Sequence, residues 1–295
     1  MSSTDRVVVV TGAGAGIGRE HALELARHGA RVVVNDVADP EAVVAEIRDL
    51  GGEAIANRSD ISEWAGAGQL VADAVEAFGT LDAVVNNAGI LRDKMLVNMD
   101  VEQWDAVLKV HLRGTFCVTR HAAGYWRERS KAGEPVEAPR VVNTSSPSGL
   151  FGNVGQINYG AAKAAIASFT VIAADELARL GVGVNAIAPT ALTEMTSGLD
   201  SYVQAVAAEK ERTGFDVGDP ANIAPLVVYL ASPASAGITG RVFTIKGGEL
   251  AVAETWVKGP RIEQSRRWEV ADLAERLPGL VAQARTNSQI NGSPR

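Results

Sequence analysis

Short, nearly continuous runs of β-branched residues alternate along the chain with longer stretches of helical length. Runs that are hydrophobic at every position are typical of strands buried on both faces of a sheet. The predicted strands are Val7–Thr11, Val32–Asn35, Ala83–Asn86, Val141–Thr144, Val182–Ala188 and Val242–Ile245, with Ala54–Asn57 as a weaker candidate. The predicted helices cover residues 17–29, 40–51, 62–78, 100–130, 155–180 and 219–231.

This alternation predicts an α/β fold with a doubly wound, mostly parallel, seven-stranded sheet. The chain has 295 residues, of which 46% are hydrophobic, and can therefore bury a large core. We expect a single domain over residues 1–250 and a C-terminal extension over residues 251–295. The end of that extension, after Asn287, is expected to be disordered.

The net charge and the cysteine content indicate which partners and which cellular compartment to expect. A net charge of −7 argues against nucleic acid as a partner. The single cysteine, Cys117, excludes an intramolecular disulfide, suits a reducing compartment and is expected to fill the core. No apolar run is long enough for a signal segment or a membrane span, so we expect a cytoplasmic protein that does not bind membranes.

A glycine-rich turn lies between the first predicted strand and the first predicted helix. It runs from Thr11 to Gly18 and includes Gly12, Gly16 and Ile17. Glycines at this place let the backbone approach a pyrophosphate, and the amides at the start of the helix point at its negative charge. The turn therefore predicts a dinucleotide site, with an ordinary turn as the alternative.

The second predicted strand ends at Asp36, eighteen residues beyond Gly18. A carboxylate at this place can accept hydrogen bonds from the adenosine ribose and would repel a 2′-phosphate. NAD is therefore favoured over NADP. The alternative is that Asp36 caps a helix or forms a turn. Arg19 either faces away from this site or binds phosphate.

A tyrosine and a lysine stand four residues apart on the predicted helix 155–180. Tyr159 and Lys163 would leave the same face of that helix. A neighbouring ammonium favours the phenolate, so Tyr159 would serve as an acid or base. Ser146, at the end of the strand ending at Thr144, could bond the same oxygen. The alternative is an exposed helical pair with the serine in a loop.

Four ordered motifs resemble the short-chain dehydrogenase/reductase family: the glycine turn, Asn86–Gly89, Ser146 and the Tyr159/Lys163 pair. The resemblance implies that Tyr159 is the catalytic acid/base, that Lys163 lowers its pKa and binds the nicotinamide ribose, and that Ser146 orients the substrate oxygen. It also implies that residues 1–250 are a dinucleotide-binding catalytic domain. The implied cofactor contacts are Asp36, Asp60, Ile61, Asn87, Ala88, Gly89, Leu192 and Thr193.

Four stretches carry a narrower likeness: Ile90–Asp93, Val110–Phe116, Gly152–Gln156 and Met195–Thr196. In these stretches the chain resembles the (3R)-hydroxyacyl-CoA dehydrogenase part of peroxisomal multifunctional enzymes of type 2. This likeness implies an NAD-dependent oxidation of a secondary alcohol, with a 3-hydroxyacyl-CoA as the expected substrate. The alternatives are a hydroxysteroid dehydrogenase, a 3-oxoacyl-carrier reductase, or a non-catalytic dinucleotide sensor. The family likeness also implies a homodimer or homotetramer built on helices 100–130 and 155–180.

Two positions depart from the family pattern. His111 stands where many members place the asparagine of a proton relay, so it is either a relay residue or a packed helix histidine. Thr190 replaces the glycine after the strand-six proline, and Thr193 is shifted by one place. The four histidines show no metal spacing, so no metal is expected.

We expect the residues that select the substrate to lie in the segments 91–99 and 150–153 and in a loop over residues 190–218. That loop mixes polar with apolar residues, including Met195, Leu199, Tyr202, Val203 and Phe215, and could close over an apolar substrate. In the extension, cations are expected to meet the phosphates of coenzyme A, with a solvated basic face as the alternative. These cations are Lys258, Arg261, Arg266 and Arg267.

Overall fold

The computed structural model describes residues 5–193, 200–254 and 256–294. The strands, β1 to β8 in chain order, are Val7–Thr11, Arg31–Asn35, Ala54–Asn57, Ala83–Asn86, Arg140–Thr144, Gly183–Thr190, Val242–Lys246 and Glu249–Ala253. The helices, α1 to α10, are Gly16–Arg27, Glu41–Asp49, Trp64–Phe78, Val101–Leu108, Gly114–Lys131, Pro147–Phe151, Ile157–Leu177, Asp200–Thr213, Ala224–Ala231 and Val270–Gln283.

The strands form one sheet in the order β3-β2-β1-β4-β5-β6-β7-β8. All neighbours pair in parallel except β7 and β8, which are antiparallel. The doubly wound α/β fold is thus confirmed, but the prediction of seven strands was wrong. The eighth strand, Glu249–Ala253, lies mainly in the predicted extension. It is an exposed edge strand, so its sequence lacks the continuous apolar run of a buried strand.

The two faces of the sheet are covered by different helices. Val8 and Val10 of β1 pack in a core with α1, α2 and α9, whereas Val7 and Val9 pack in a second core with α3, α5 and α7. Cys117 is buried in the second core, as expected. Because each buried valine contributes about 1.5–3 kcal/mol, the doubly buried strands form the rigid frame that positions the strand ends.

A π-helical turn interrupts the predicted helix 100–130. Lys109–Arg113 forms this turn between α4 and α5, and it carries His111. Such π turns often occur at functional sites because they shift the side chains of one turn relative to the rest of the helix.

Three further elements were absent from the sequence prediction. Helix α6 follows Ser146 directly, α8 lies within the loop expected over 190–218, and α10 lies in the extension with no buried residue. The end expected to be disordered forms a turn, with a bridge between Ser288 and Pro294. Within that turn, Gly292 approaches the ring of Phe151, at the end of α6.

One described helical stretch, Ile157–Leu180, has the length and apolar composition of a membrane span. These two properties are weak evidence, because core helices of soluble proteins share them. Here the stretch consists of α7 and a short 3₁₀ turn, and α7 packs against β5 and β6.

His21 of α1 is fully buried, and neither of its ring nitrogens has a hydrogen-bond partner. Burial lowers the pKa of His21 from 6.5 to about 3, because the charged imidazolium loses its hydration. The folded protein therefore keeps this ring neutral in the range where the unfolded chain takes up a proton. Stability must fall as the pH drops from 6.5 towards 3.

We predict that the wild-type protein loses about 2–3 kcal/mol of unfolding free energy, relative to His21→Leu, between pH 7 and pH 4.5. Urea denaturation of both proteins across this range measures the difference. His21→Gln is a second non-titrating replacement and should give the same pH-dependent gap. Parallel stability curves for wild type and both variants would contradict the prediction.

Candidate active site

The glycine turn and the loop after β4 are joined by hydrogen bonds and by a close backbone contact. Asn87 donates from its side-chain amide to the carbonyls of Thr11 and Gly12, at 3.1 Å in each case. Gly12 has a positive φ of 62°, and a Cβ on it would lie 2.6 Å from the Cα of Ala88. Only glycine permits this close approach. The structure therefore brings Asn87 and Ala88 against the glycine turn.

The start of α1 and the end of β2 meet at the same place. No side chain caps α1, so the first amides of this 12-residue helix are open to an anion. The Gly14 amide donates to the Asp36 carboxylate at 3.0 Å, and the Ala38 amide donates to its other oxygen at 3.0 Å. Asp36 thus lies at the glycine turn and also forms a turn of its own, which was the expected alternative. Its contact with a ribose stays a prediction.

A dinucleotide fits this set of groups. Gly16, Ile17 and Gly18 form the first turn of α1, and a Cβ on Gly18 would lie 2.1 Å from the Gly12 carbonyl oxygen. The open amides suit a pyrophosphate, and the carboxylate of Asp36 suits a ribose diol. The fit is supported by the backbone cradle as well as by charge.

The loop after β6 also reaches the glycine turn. A Cβ on Gly16 would lie 3.4 Å from the methyl carbon of Thr193. The Leu192 amide donates to the carbonyl of Gly218 at 2.7 Å, which joins the two ends of the expected substrate loop. Leu192 and Thr193 are therefore near the predicted cofactor, while Met195 and Leu199 lie outside the described residues.

Asp60, Ile61 and Arg19 each contact residues close to them in the fold. Asp60 accepts hydrogen bonds from the amide and hydroxyl of Ser62, and Ile61 is buried against Gly114. The expected contact of these two residues with the cofactor stays a prediction. Arg19 forms ion pairs with Glu20 and Glu46, so its guanidinium is engaged by carboxylates.

Ser146, Tyr159 and Lys163 come together beside the carboxyl end of β5. Ser146 caps α6, where its hydroxyl accepts from the Ser148 amide, and it is hydrogen-bonded to Tyr159. Lys163 is buried, and its ammonium donates to the carbonyl of Thr144 at 2.6 Å and lies 5.6 Å from the centre of the Tyr159 ring. The exposed-pair alternative is therefore excluded for this lysine.

Close packing of α6 on α7 makes this arrangement possible. A Cβ on Gly149 would lie 2.6 Å from the Ala164 amide nitrogen and from the Lys163 carbonyl carbon. Glycine at this position thus lets the serine-bearing helix approach the helix that carries the tyrosine and lysine.

The pKa of Tyr159 is not lowered in the protein alone, and here the sequence expectation was wrong. Burial raises the pKa of the phenol above its ordinary value of 10, the Asp93 carboxylate raises it further, and the Ser146 hydrogen bond opposes both. Burial also lowers the pKa of Lys163 to about 7. The lysine is thus only partly charged at neutral pH, and its ammonium is bonded to a backbone carbonyl.

His111 is buried and packs edge-on against Tyr159, with ring centres 5.2 Å apart. The Ile90 amide donates to its Nε2 atom at 3.0 Å, and the Ile90 carbonyl oxygen lies 2.8 Å from the same atom. Burial and the charge of Lys163 lower the pKa of His111 to about 3, so the ring is neutral at physiological pH. His111 thus packs against Tyr159.

Gly89 is required by this packing, since a Cβ there would lie 2.1 Å from the Cε1 atom of His111. The Nδ1 atom of His111 is buried and has no hydrogen-bond partner. A neutral ring with one open nitrogen can bond a water, so the relay role remains a prediction.

Two polar residues connect the loop after β4 to the start of α7. The sequence analysis did not single them out. Asn158 is fully buried, and its amide donates to the carbonyls of Arg92 (2.9 Å) and Gln103 (3.2 Å). Gln156 donates to the Asp93 carboxylate at 2.7 Å and accepts from the hydroxyl of Ser148 at 2.7 Å. Their position beside Tyr159 was the one available signal.

Two of the four cations of the extension form ion pairs. Arg266 pairs with Asp272 at 2.8 Å, and Arg261 pairs with Glu263 at 3.3 Å. The expected contact of the four cations with coenzyme A stays a prediction. Within the described part of the chain, no group of His, Cys, Asp or Glu side chains could hold a metal ion.

Comparison with known proteins agrees with this geometry. The family model for short chain dehydrogenases matches residues 6–203. The hydroxyacyl-CoA dehydrogenase ChsB1 of Mycobacterium tuberculosis is 47% identical, over 94% of this chain and 89% of its own length. The peroxisomal multifunctional enzyme type 2 of Drosophila melanogaster is 40% identical, over 78% of this chain and 38% of that protein.

A solved structure extends the likeness to the whole chain. The crystal structure of a short chain dehydrogenase from Mycobacterium avium superposes with a TM-score of 0.88 at 46% identity, and the match covers 97% of this chain and 98% of that one. The sequence identity, the matched family model and the shared fold lead to one conclusion. This chain belongs to the short-chain dehydrogenase family of oxidoreductases.

Proposed function

We propose that this protein is an NAD-dependent dehydrogenase that transfers a hydride between the 3-hydroxyl carbon of a 3-hydroxyacyl-CoA and the nicotinamide. The observation that carries the proposal is the placement of Ser146, Tyr159 and Lys163 at the strand ends, on the same sheet edge as the glycine turn. A bound nicotinamide supplies the hydride acceptor, which is the redox chemistry that the side chains lack.

The side chains of the site accept or donate the proton of the substrate hydroxyl. Ser146 bonds the Tyr159 hydroxyl and orients it towards a substrate oxygen. The raised pKa keeps Tyr159 protonated in the free protein, so oxidation of an alcohol requires this pKa to fall when the site is filled. Lys163, held on the Thr144 carbonyl beneath the ring, is placed to stabilise the phenolate.

Two observations support a thioester with an apolar chain. The relative ChsB1 is named a hydroxyacyl-CoA dehydrogenase. Apolar side chains are exposed at the rim beside Gln156, which binds Asp93. These side chains are Met95, Leu96, Val97 and Val154. A hydroxysteroid would also meet an apolar rim and remains the second substrate class to test.

The choice of NAD rests on Asp36. Its carboxylate accepts from the Gly14 amide of the glycine turn. Arg58, which donates to the carbonyl of Ala38, is paired with Asp39 at 2.9 Å. A 2′-phosphate would therefore meet the negative charge of Asp36.

Assembly and location are also part of the proposal. Phe116 on α5 and Ile172 on α7 are exposed apolar side chains, which suits a homodimer or homotetramer formed through these helices. The one cysteine and the acidic composition suit a cytoplasmic protein. A dinucleotide sensor without turnover is disfavoured because the serine, tyrosine and lysine are all present and correctly grouped.

The direct test is NADH formation, followed by absorbance, with a panel of 3-hydroxyacyl-CoAs and hydroxysteroids. We expect turnover of the hydroxyacyl-CoAs, and we expect Tyr159→Phe to lower kcat at least about 100-fold, because it removes the acid/base group. The affinity for NAD should be unchanged. A protein that binds NAD and turns over none of the panel would instead be a sensor, and near-normal turnover by Tyr159→Phe would remove the tyrosine from the mechanism.

Asp36→Ala should relax the preference for NAD over NADP, since it removes both the ribose acceptor and the repulsion of a 2′-phosphate. The ratio of kcat/KM for the two cofactors measures this, and we expect it to shift at least about tenfold towards NADP. Asp49→Ala removes an exposed carboxylate at the far end of α2 and serves as the charge control. If Asp36→Ala keeps the wild-type ratio, residues other than Asp36 recognise the adenosine ribose.

A further inference from the structure

Two cations are fixed at the rim of the active site by the loop after β4. The carbonyl of Arg92 accepts a hydrogen bond from the buried amide of Asn158, the residue before Tyr159. Lys94 forms a β-bridge with Gln156, three residues before Tyr159. The loop backbone is therefore attached to the first turn of α7, and it presents both cations beside the catalytic tyrosine.

Neither cation is neutralised. Within the described part of the chain, Arg92 and Lys94 form no ion pair, and both side chains are exposed. Among the described residues, the guanidinium of Arg92 donates only to the carbonyl of its neighbour Leu91, at 2.7 Å. Asp93, which lies between the two cations in the sequence, accepts from the Gln156 amide at 2.7 Å and pairs with neither of them. Both cations are thus open to a ligand.

The surface next to these cations is apolar. Met95, Leu96 and Val97 follow Lys94 in the same loop and are 52%, 66% and 88% exposed. Val154, two residues before Gln156, is 81% exposed. An exposed apolar patch bordered by unpaired cations is the complement of a ligand that joins an uncharged arm to phosphate groups.

We propose that Arg92 and Lys94 form a phosphate-binding site for the pantetheine-linked phosphate of the thioester substrate. This inference rests on the proposed function and adds where the carrier end of the substrate binds. Arginine offers a planar fork that matches phosphate oxygens, and lysine adds a compact charge. The phosphate is common to coenzyme A and to the phosphopantetheine arm of a carrier protein, so the shared chemistry defines the site.

The extension offers a matched comparison. Lys258 and Arg267 are also one lysine and one arginine, both exposed and without an ion pair among the described residues. They lie in the segment whose cations the sequence had suggested for coenzyme A. The double variant Lys258→Ala/Arg267→Ala therefore removes the same charge from the competing location.

The test measures KM and kcat for three thioesters of one 3-hydroxyacyl group: with coenzyme A, with a carrier protein and with phosphate-free pantetheine. For Arg92→Ala/Lys94→Ala we expect KM for the coenzyme A thioester to rise about tenfold, which corresponds to about 1.4 kcal/mol. KM for the pantetheine thioester should change less than about twofold, because it carries no phosphate to lose. Added salt should shrink the difference, since the cations are exposed.

A rise shared by the coenzyme A and carrier-protein thioesters supports the phosphate site. A rise confined to coenzyme A would assign the cations to a phosphate that the carrier arm lacks and would overturn the pantetheine-linked assignment. Equal changes for all three thioesters, or a selective rise in the Lys258/Arg267 variant only, would overturn it. Calorimetric binding of free coenzyme A separates this inference from the proposed function, because it needs no turnover. Equal affinity of wild type and Arg92→Ala/Lys94→Ala for free coenzyme A would refute the site even if the enzyme is active.

Discussion

A buried amine holds the active site together. Lys163 reaches from α7 to the carbonyl of Thr144, the last residue of β5, at 2.6 Å. This bond fixes the catalytic helix to the strand that ends just before Ser146, so serine and tyrosine keep one relative position. Burying an ammonium is costly, and the pKa of Lys163 is lowered to about 7 for this reason. The bond to Thr144 offsets part of that cost.

The same burial determines the protonation of the tyrosine. Tyr159 lies between the buried Lys163 and the neutral ring of His111, with Ser146 at its hydroxyl. Burial raises the pKa of the phenol above its ordinary value, and the Ser146 hydrogen bond opposes this rise. In the free protein the Tyr159 hydroxyl is therefore protonated and can donate a proton. In the proposed oxidation, Tyr159 acts as a base only if its pKa falls when the cofactor binds.

Much of the fold could be predicted from the sequence, since strands buried on both faces leave continuous valine runs such as Val7–Val10. The strand β8 could not, because an exposed edge strand carries no such run. The grouping of Ser146, Tyr159 and Lys163 followed from strand ends and helical spacing. The pKa of Tyr159 did not, because it depends on burial by residues distant in the chain. Asn158 and Gln156 were missed because an asparagine and a glutamine give no sequence signal of the partners they bind.

The most direct measurement is the ionisation of Tyr159 itself. The near-ultraviolet absorbance of the phenolate, taken as wild type minus Tyr159→Phe across a pH titration, isolates this one side chain. We expect the free protein to ionise Tyr159 at a pH above the ordinary pKa of 10, and saturation with NAD to move this transition to a lower pH. Ionisation of Tyr159 at the same pH with and without NAD would contradict it.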